Sequence, residues 1–185
     1  MNKENPAVMN SLVRGAAAVA VAALALVSGA ASADVRVCEG RLAPISGKIT
    51  TNAIGPGETL GVLAGTVDEQ LKLKCGIQGK AFFNPDGTFG GFTHTLVCGD
   101  AISVFGQTVH SQVVAISRYD GMPDFTSCGI PGMDLQYGSF REITEPQSGR
   151  GIFSPTGGGR LEVEGTVNCV GAVDMKISGQ VCLAY

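Results

Sequence analysis

Beyond residue 33, apolar side chains recur with period two, in short runs broken by Gly, Pro, Asn and Asp. No window sustains a 3.6-residue period. Successive side chains of an extended chain point to opposite faces, so this alternation predicts antiparallel strands, each with one face turned to a core. The clearest case is a hairpin. Residues 77–83 lead into Asn84-Pro85-Asp86-Gly87, and residues 88–97 lead out. Proline presets φ at the second turn position, Asp tolerates the third, and Gly supplies a positive φ for the exit. Gly90-Gly91 in the returning strand predicts a bulge or sharp bend.

Further strands are predicted over residues 59–67, 102–117 (bending near Gly106), 160–167 and 173–183. Residues 119–131 read as irregular and residues 145–159 as a long mobile loop, rich in Gly and Pro. Gly65-Thr66-Val67 recurs as Gly165-Thr166-Val167, and Ile77 and Gly79 recur as Ile177 and Gly179. Such an echo would fit two related hairpin units. The predicted fold is all-β: a single antiparallel barrel or two-sheet sandwich spanning residues 34–185.

The first 33 residues follow a different rule. Lys3 and Arg14 precede an apolar stretch over residues 16–27, and small residues follow, ending Ala31-Ser32-Ala33. About a dozen apolar residues are too few to span roughly 30 Å of hydrocarbon as a helix. The pattern is that of a removable signal peptide, with cleavage between Ala33 and Asp34. No cysteine stands at the cut to carry a lipid, so the predicted product is soluble, periplasmic or secreted, with no stable membrane insertion.

Export changes the meaning of the cysteines. Cys38, Cys75, Cys98, Cys128, Cys169 and Cys182 all lie after the leader, and their number is even. None has the C-x-x-C spacing of a redox dithiol or zinc knuckle. They read as structural disulfides bracing the sheet. Spacing leaves the connectivity open. Cys75 and Cys98 flank the hairpin turn almost symmetrically, Cys38 and Cys182 sit near the two ends of the domain, and Cys128 and Cys169 would remain.

Charge removes whole classes of partner. Taking Lys3, Arg14 and Glu4 from 13 basic and 16 acidic residues leaves 11 and 15, a net charge of −4. There is no basic run, so neither nucleic acid nor an anionic membrane surface has its electrostatic footprint. Lys72 and Lys74 alternate with leucines, as on the wet face of a strand.

No catalytic, cofactor or metal site is predicted. His94 and His110 lie in separate strand-like runs and read as solvent-facing. Ser154 lacks the glycine-flanked elbow of a hydrolase. The pairs Glu162/Glu164 and Glu142/Glu145 read as solvated carboxylates, the second pair in or beside a loop. Gly157-Gly158-Gly159-Arg160 precedes a strand rather than a helix, so it is no phosphate cradle. Asn84 and Asp86 start like a calcium loop, but Thr95 stands where the bidentate glutamate would be. The aromatic set is Phe82, Phe83, Phe89 and Phe92, with no Trp.

The expected function is that of an exported, non-catalytic binding module, holding a small hydrophobic ligand in an apolar barrel interior. Two other classes stand beside it. The last fifteen residues, with Gly171 and the terminal Tyr185, resemble donor-strand pilins, from which Cys182 departs. That resemblance implies a surface-appendage subunit assembled by strand addition. A barrel isomerase or cyclase that acts by shaping a hydrophobic substrate is the third. Oligomeric state is not encoded in any pattern here.

Overall fold

One face of every alternating strand must find an apolar surface, and here the sheet supplies it by closing on itself. The computed structural model describes residues 36–104, 107–131 and 135–184. The leader, its cleavage point Ala33/Asp34 and Tyr185 lie outside the described residues. The strands are β1 (Arg41–Gly55), β2 (Glu58–Val67), β3 (Leu71–Phe83), β4 (Phe89–Val104), β5 (Gln107–Tyr119), β6 (Asp124–Ser127), β7 (Gln136–Arg150), β8 (Gly159–Val167) and β9 (Ala172–Leu183).

Every pairing is antiparallel. The order β5-β4-β3-β2-β1-β9-β8-β7 is closed by β5 against β7, giving an eight-stranded up-and-down barrel rather than a sandwich. The short β6 continues the same edge of β7, opposite residues 136–139. Eight strands leave an interior just wide enough for side chains to fill. Ile45, Ile49, Leu63, Leu73, Ile77, Val113, Leu161, Val163, Ile177 and Val181 fill it. On β3 and β8 the outward positions are charged or polar: Lys72, Lys74, Gln78 and Lys80, and Arg160, Glu162 and Glu164, all exposed; on β2 they are the exposed Leu60, Val62 and Ala64. A lipid-facing barrel needs an apolar outer band, and the charged outer faces of β3 and β8 interrupt any such band.

The predicted hairpin is β3–β4. Gly87 has φ 83°, and Asp86 Oδ1 accepts from the Thr88 amide at 2.9 Å and the Thr88 hydroxyl at 2.6 Å. Those donors hold the Asp86 carboxyl below the usual carboxylate range. Phe82 pairs with Gly91 and Phe83 with Phe89, leaving Gly90 as the extra residue of a bulge. Three disulfides brace the barrel: Cys75–Cys98, directly opposite each other on β3 and β4, Cys38–Cys182 and Cys128–Cys169.

Several segments differ from expectation. Residues 102–117 are not one bent strand. Residues 102–104 end β4 and 107–117 lie in β5, with Ile102 opposite Val109. Residues 145–150 are the second half of β7, not part of a loop. Pro146 is tolerated there beside a register shift in the β5–β7 ladder, where a missing N–H costs least. The glycines after it are packed, not loose. Gly157 and Gly158 are buried, Gly157, Gly158 and Gly159 take φ of 73°, 102° and 99°, and a Cβ on Gly157 would strike the Pro146 carbonyl. The irregular stretch 119–131 contains β6. The sequence echo falls on the β2–β3 and β8–β9 hairpins, but Val67 faces Leu71 whereas Val167 faces Val173, so the registers differ.

Candidate functional site

The two ends of the barrel are unlike. At one end the crossing from β7 to β8 folds inward and plugs the opening. Phe153 is 2% exposed and its backbone bridges to Leu183. Cys38–Cys182 lies beside it, with Gly158 against the backbone of Arg36 and Cys38. Above this plug the interior keeps a cavity of only about 50 Å³, lined mainly by aliphatic side chains. The interior expected to hold a ligand is therefore filled by side chains.

At the other end the strands open into a recess of about 280 Å³. The β1–β2 turn, β6 and the β8–β9 turn surround it, and Cys128–Cys169 ties β6 to the β8–β9 turn at its rim. Its walls are aromatic and apolar: Phe92, Tyr119, Phe125, Phe140, Leu135, Val173 and Met175. The rings form one continuous series. Phe83, 65% exposed at the hairpin tip, meets Phe89 at 6.2 Å between centroids. Phe89 meets Phe92 at 5.0 Å, Phe92 meets Tyr119 at 6.1 Å, Tyr119 meets Phe125 at 6.0 Å and Phe125 meets Phe140 at 6.2 Å. Steeply inclined pairs at such spacing gain about 0.5–1.5 kcal/mol each beyond burial. They also make a path of apolar surface from solvent to the recess.

The floor of the recess is polar. Thr51, Thr59, His94 and Glu142 line both the recess and the small cavity beneath, forming a layer between them. His94 projects from β4, Ser117 from β5 and Glu142 from β7. Ser117 is opposite Phe92 on one side and Thr144 on the other, so His94, Ser117 and Glu142 follow successive diagonals of the inner wall. His94 Nε2 is 2.9 Å from Ser117 Oγ and 3.8 Å from Glu142 Oε2. The side chains of His94 and Glu142 are 15% and 5% exposed. Three buried polar atoms near this layer, Thr51 Oγ1, His94 Nδ1 and Thr144 Oγ1, have no hydrogen-bond partner among the described residues. Burial, reinforced by the Glu142 charge, pushes the Tyr119 phenol up to about 12.

His94 and Glu142 thus overturn two sequence expectations. His94 faces inward, and the signal was present: Phe92, His94, Leu96 and Cys98 alternate on one strand face. Glu142 is a buried strand residue, not a solvated loop carboxylate. The other weighed residues stay apart from the recess floor. His110, Glu162 and Glu164 are exposed on strands, and Glu145 is only partly buried on β7. Ser154 is buried at the plugged end, its hydroxyl 3.0 Å from Thr156 Oγ1. Among the described residues no three His, Cys, Asp or Glu side chains converge as a metal ion would require. No protein-family model, no curated protein and no solved structure matches this chain.

Proposed function

We propose that the protein is exported, loses residues 1–33 by cleavage between Ala33 and Asp34, and acts outside the cytoplasm as a barrel that binds a small apolar molecule at its open end. The aromatic recess is the observation that carries this reading. It is apolar, concave and close to the lower end of small-ligand pocket volumes of about 300–1,000 Å³. Three disulfides support the oxidising compartment. The reading concerns binding at the mouth; the filled interior has no room for a lipid chain.

The appendage reading has lost its physical basis in the described barrel. Strand addition needs an open edge, and β9 is paired along its length with β1 and β8. The isomerase or cyclase reading keeps one supporting observation, the His94–Ser117–Glu142 cluster under an apolar recess. It requires turnover of a bound compound, lost in His94→Gln with binding retained.

The binding reading is tested on the secreted product with the fluorescent probe N-phenyl-1-naphthylamine. The chain has no Trp, so probe emission is read without indole interference. Saturable one-site binding is expected, abolished by Phe125→Glu, which sets a charge against the recess from the short β6, beside the eight strands that close the barrel. Leu60→Glu, on the exposed outer wall, should leave it intact. Absence of saturable binding, or equal loss in both variants, overturns the reading. Intact mass on the same sample should correspond to a start at Asp34 and lie about six hydrogens below the reduced value.

A further inference from the structure

Rings wall the recess and a carboxylate lies in its floor, and both favour the same sign of guest. Phe92, Tyr119, Phe125 and Phe140 all line it. Their neighbouring centroids lie 6.0–6.2 Å apart, with planes inclined by 62–82°. The face of an aromatic ring is the negative part of its quadrupole, and it attracts cations. Glu142 adds a formal charge beneath the rings. Its side chain is 5% exposed. The same charge acts on Tyr119, adding to burial in holding the phenol protonated up to about 12.

The basic side chains around Glu142 are engaged elsewhere. Lys80 pairs with Glu58 at 3.2 Å. Arg141, next to Glu142 in the chain, pairs with Glu164 on the outer wall. Arg118, opposite Ile143 on the β5–β7 ladder, lies over the Phe82 ring. No Lys or Arg lines the recess. His94 Nε2 stands 3.8 Å from Glu142 Oε2, too far for a hydrogen bond, and 2.9 Å from Ser117 Oγ. A buried carboxylate is costly unless a positive group meets it. Of the two acidic groups lining the recess, Glu58 has its lysine, and Glu142 has no Lys or Arg partner among the described residues.

We infer that the recess takes an organic cation, an amine or quaternary ammonium whose charged head sits over Glu142 between the aromatic walls and whose apolar body fills the mouth. This names the ligand class of the binding site proposed above and rests on that reading. A quaternary head has no N–H to donate, so the selection is by charge and ring contact alone. An anion of the same shape meets only repulsion from Glu142 and the ring faces.

The test uses a pair of molecules that differ by one atom and one charge, benzyltrimethylammonium and its neutral carbon isostere neopentylbenzene, with phenylacetate as the anion. Each displaces N-phenyl-1-naphthylamine from the secreted, disulfide-intact protein. The cation should bind about tenfold tighter than the isostere, and phenylacetate more weakly than either. In Glu142→Gln the cation and the isostere should become equal. In the parent protein the Glu142 carboxyl carbon resonance should shift with benzyltrimethylammonium and stay in place with neopentylbenzene, a readout that stands even if the variant folds poorly. Equal affinity of cation and isostere with an unmoved carboxyl resonance overturns the inference and leaves the binding reading standing. A preference that survives intact in folded Glu142→Gln overturns it as well. If neither the naphthylamine probe nor any of the three compounds binds, the binding reading fails and takes the inference with it.

Discussion

Tyr119 and Glu142 are direct partners across the β5–β7 ladder, a phenol on the wall of the recess and a buried carboxylate in its floor. Burial and that negative neighbour keep the phenol protonated up to about pH 12. An unfolded tyrosine loses its proton near 10. Between those values the unfolded chain binds fewer protons than the folded one, so stability falls as pH rises, by up to about 1.4 kcal/mol per unit for this group. Urea midpoints should therefore drop more steeply from pH 10 to 12 in the parent than in Tyr119→Phe. Parallel profiles would mean that the phenol ionises as readily folded as unfolded.

The plugged end should be separable from the open one. Phe153 is 2% exposed and lies over the bottom of the interior. Phe153→Ala removes most of a ring from a packed core and should cost about 3–5 kcal/mol in chemical unfolding. Below the unfolding transition the variant should still bind N-phenyl-1-naphthylamine, because the recess lies at the other end. Loss of probe binding in a folded variant would show the two ends to be coupled.

A third expectation concerns the turn between β2 and β3. Asp68 and Glu69 take φ of 55° and 61°, a region that costs an ordinary residue about 1–2 kcal/mol. Asp68 has compensation: its carboxylate receives two hydrogen bonds from Arg41, at 3.0 and 2.7 Å. Glu69 is exposed, and among the described residues nothing comparable to the Arg41 contacts holds it. Glu69→Gly should raise unfolding stability by about 1 kcal/mol, whereas Asp68→Gly should gain less, because it gives up the Arg41 contacts. A destabilised Glu69→Gly would show that the flexibility gained by the unfolded chain outweighs the relieved strain.

How much of the barrel was legible in the sequence depends on how cleanly each strand separates inside from outside. β3 alternates Leu73, Cys75 and Ile77 against Lys72, Lys74 and Gln78, so its hairpin partner and its bulge could be read directly. β7 escaped because its inward face is Phe140, Glu142, Thr144 and Pro146. Two polar residues and a proline pointing into a barrel invert the usual pattern. β1 escaped for a milder reason, since Ala43, Gly47 and Thr51 dilute its apolar face. The strand least like a strand therefore carries the carboxylate of the candidate site. His94 was within reach, for it shares its face with Leu96 and Cys98. Its pairing with Ser117 and Glu142 was not, because that depends on the order of strands around the closed barrel.

The knot of Cys38, Cys182 and Phe153 has a practical sequel. Arg41 is paired with Leu183 there, so both tails of the described domain leave from the same pole, far from the aromatic opening. The molecule can be immobilised or fused to a reporter through either tail with its port facing outward, as a biosensor requires.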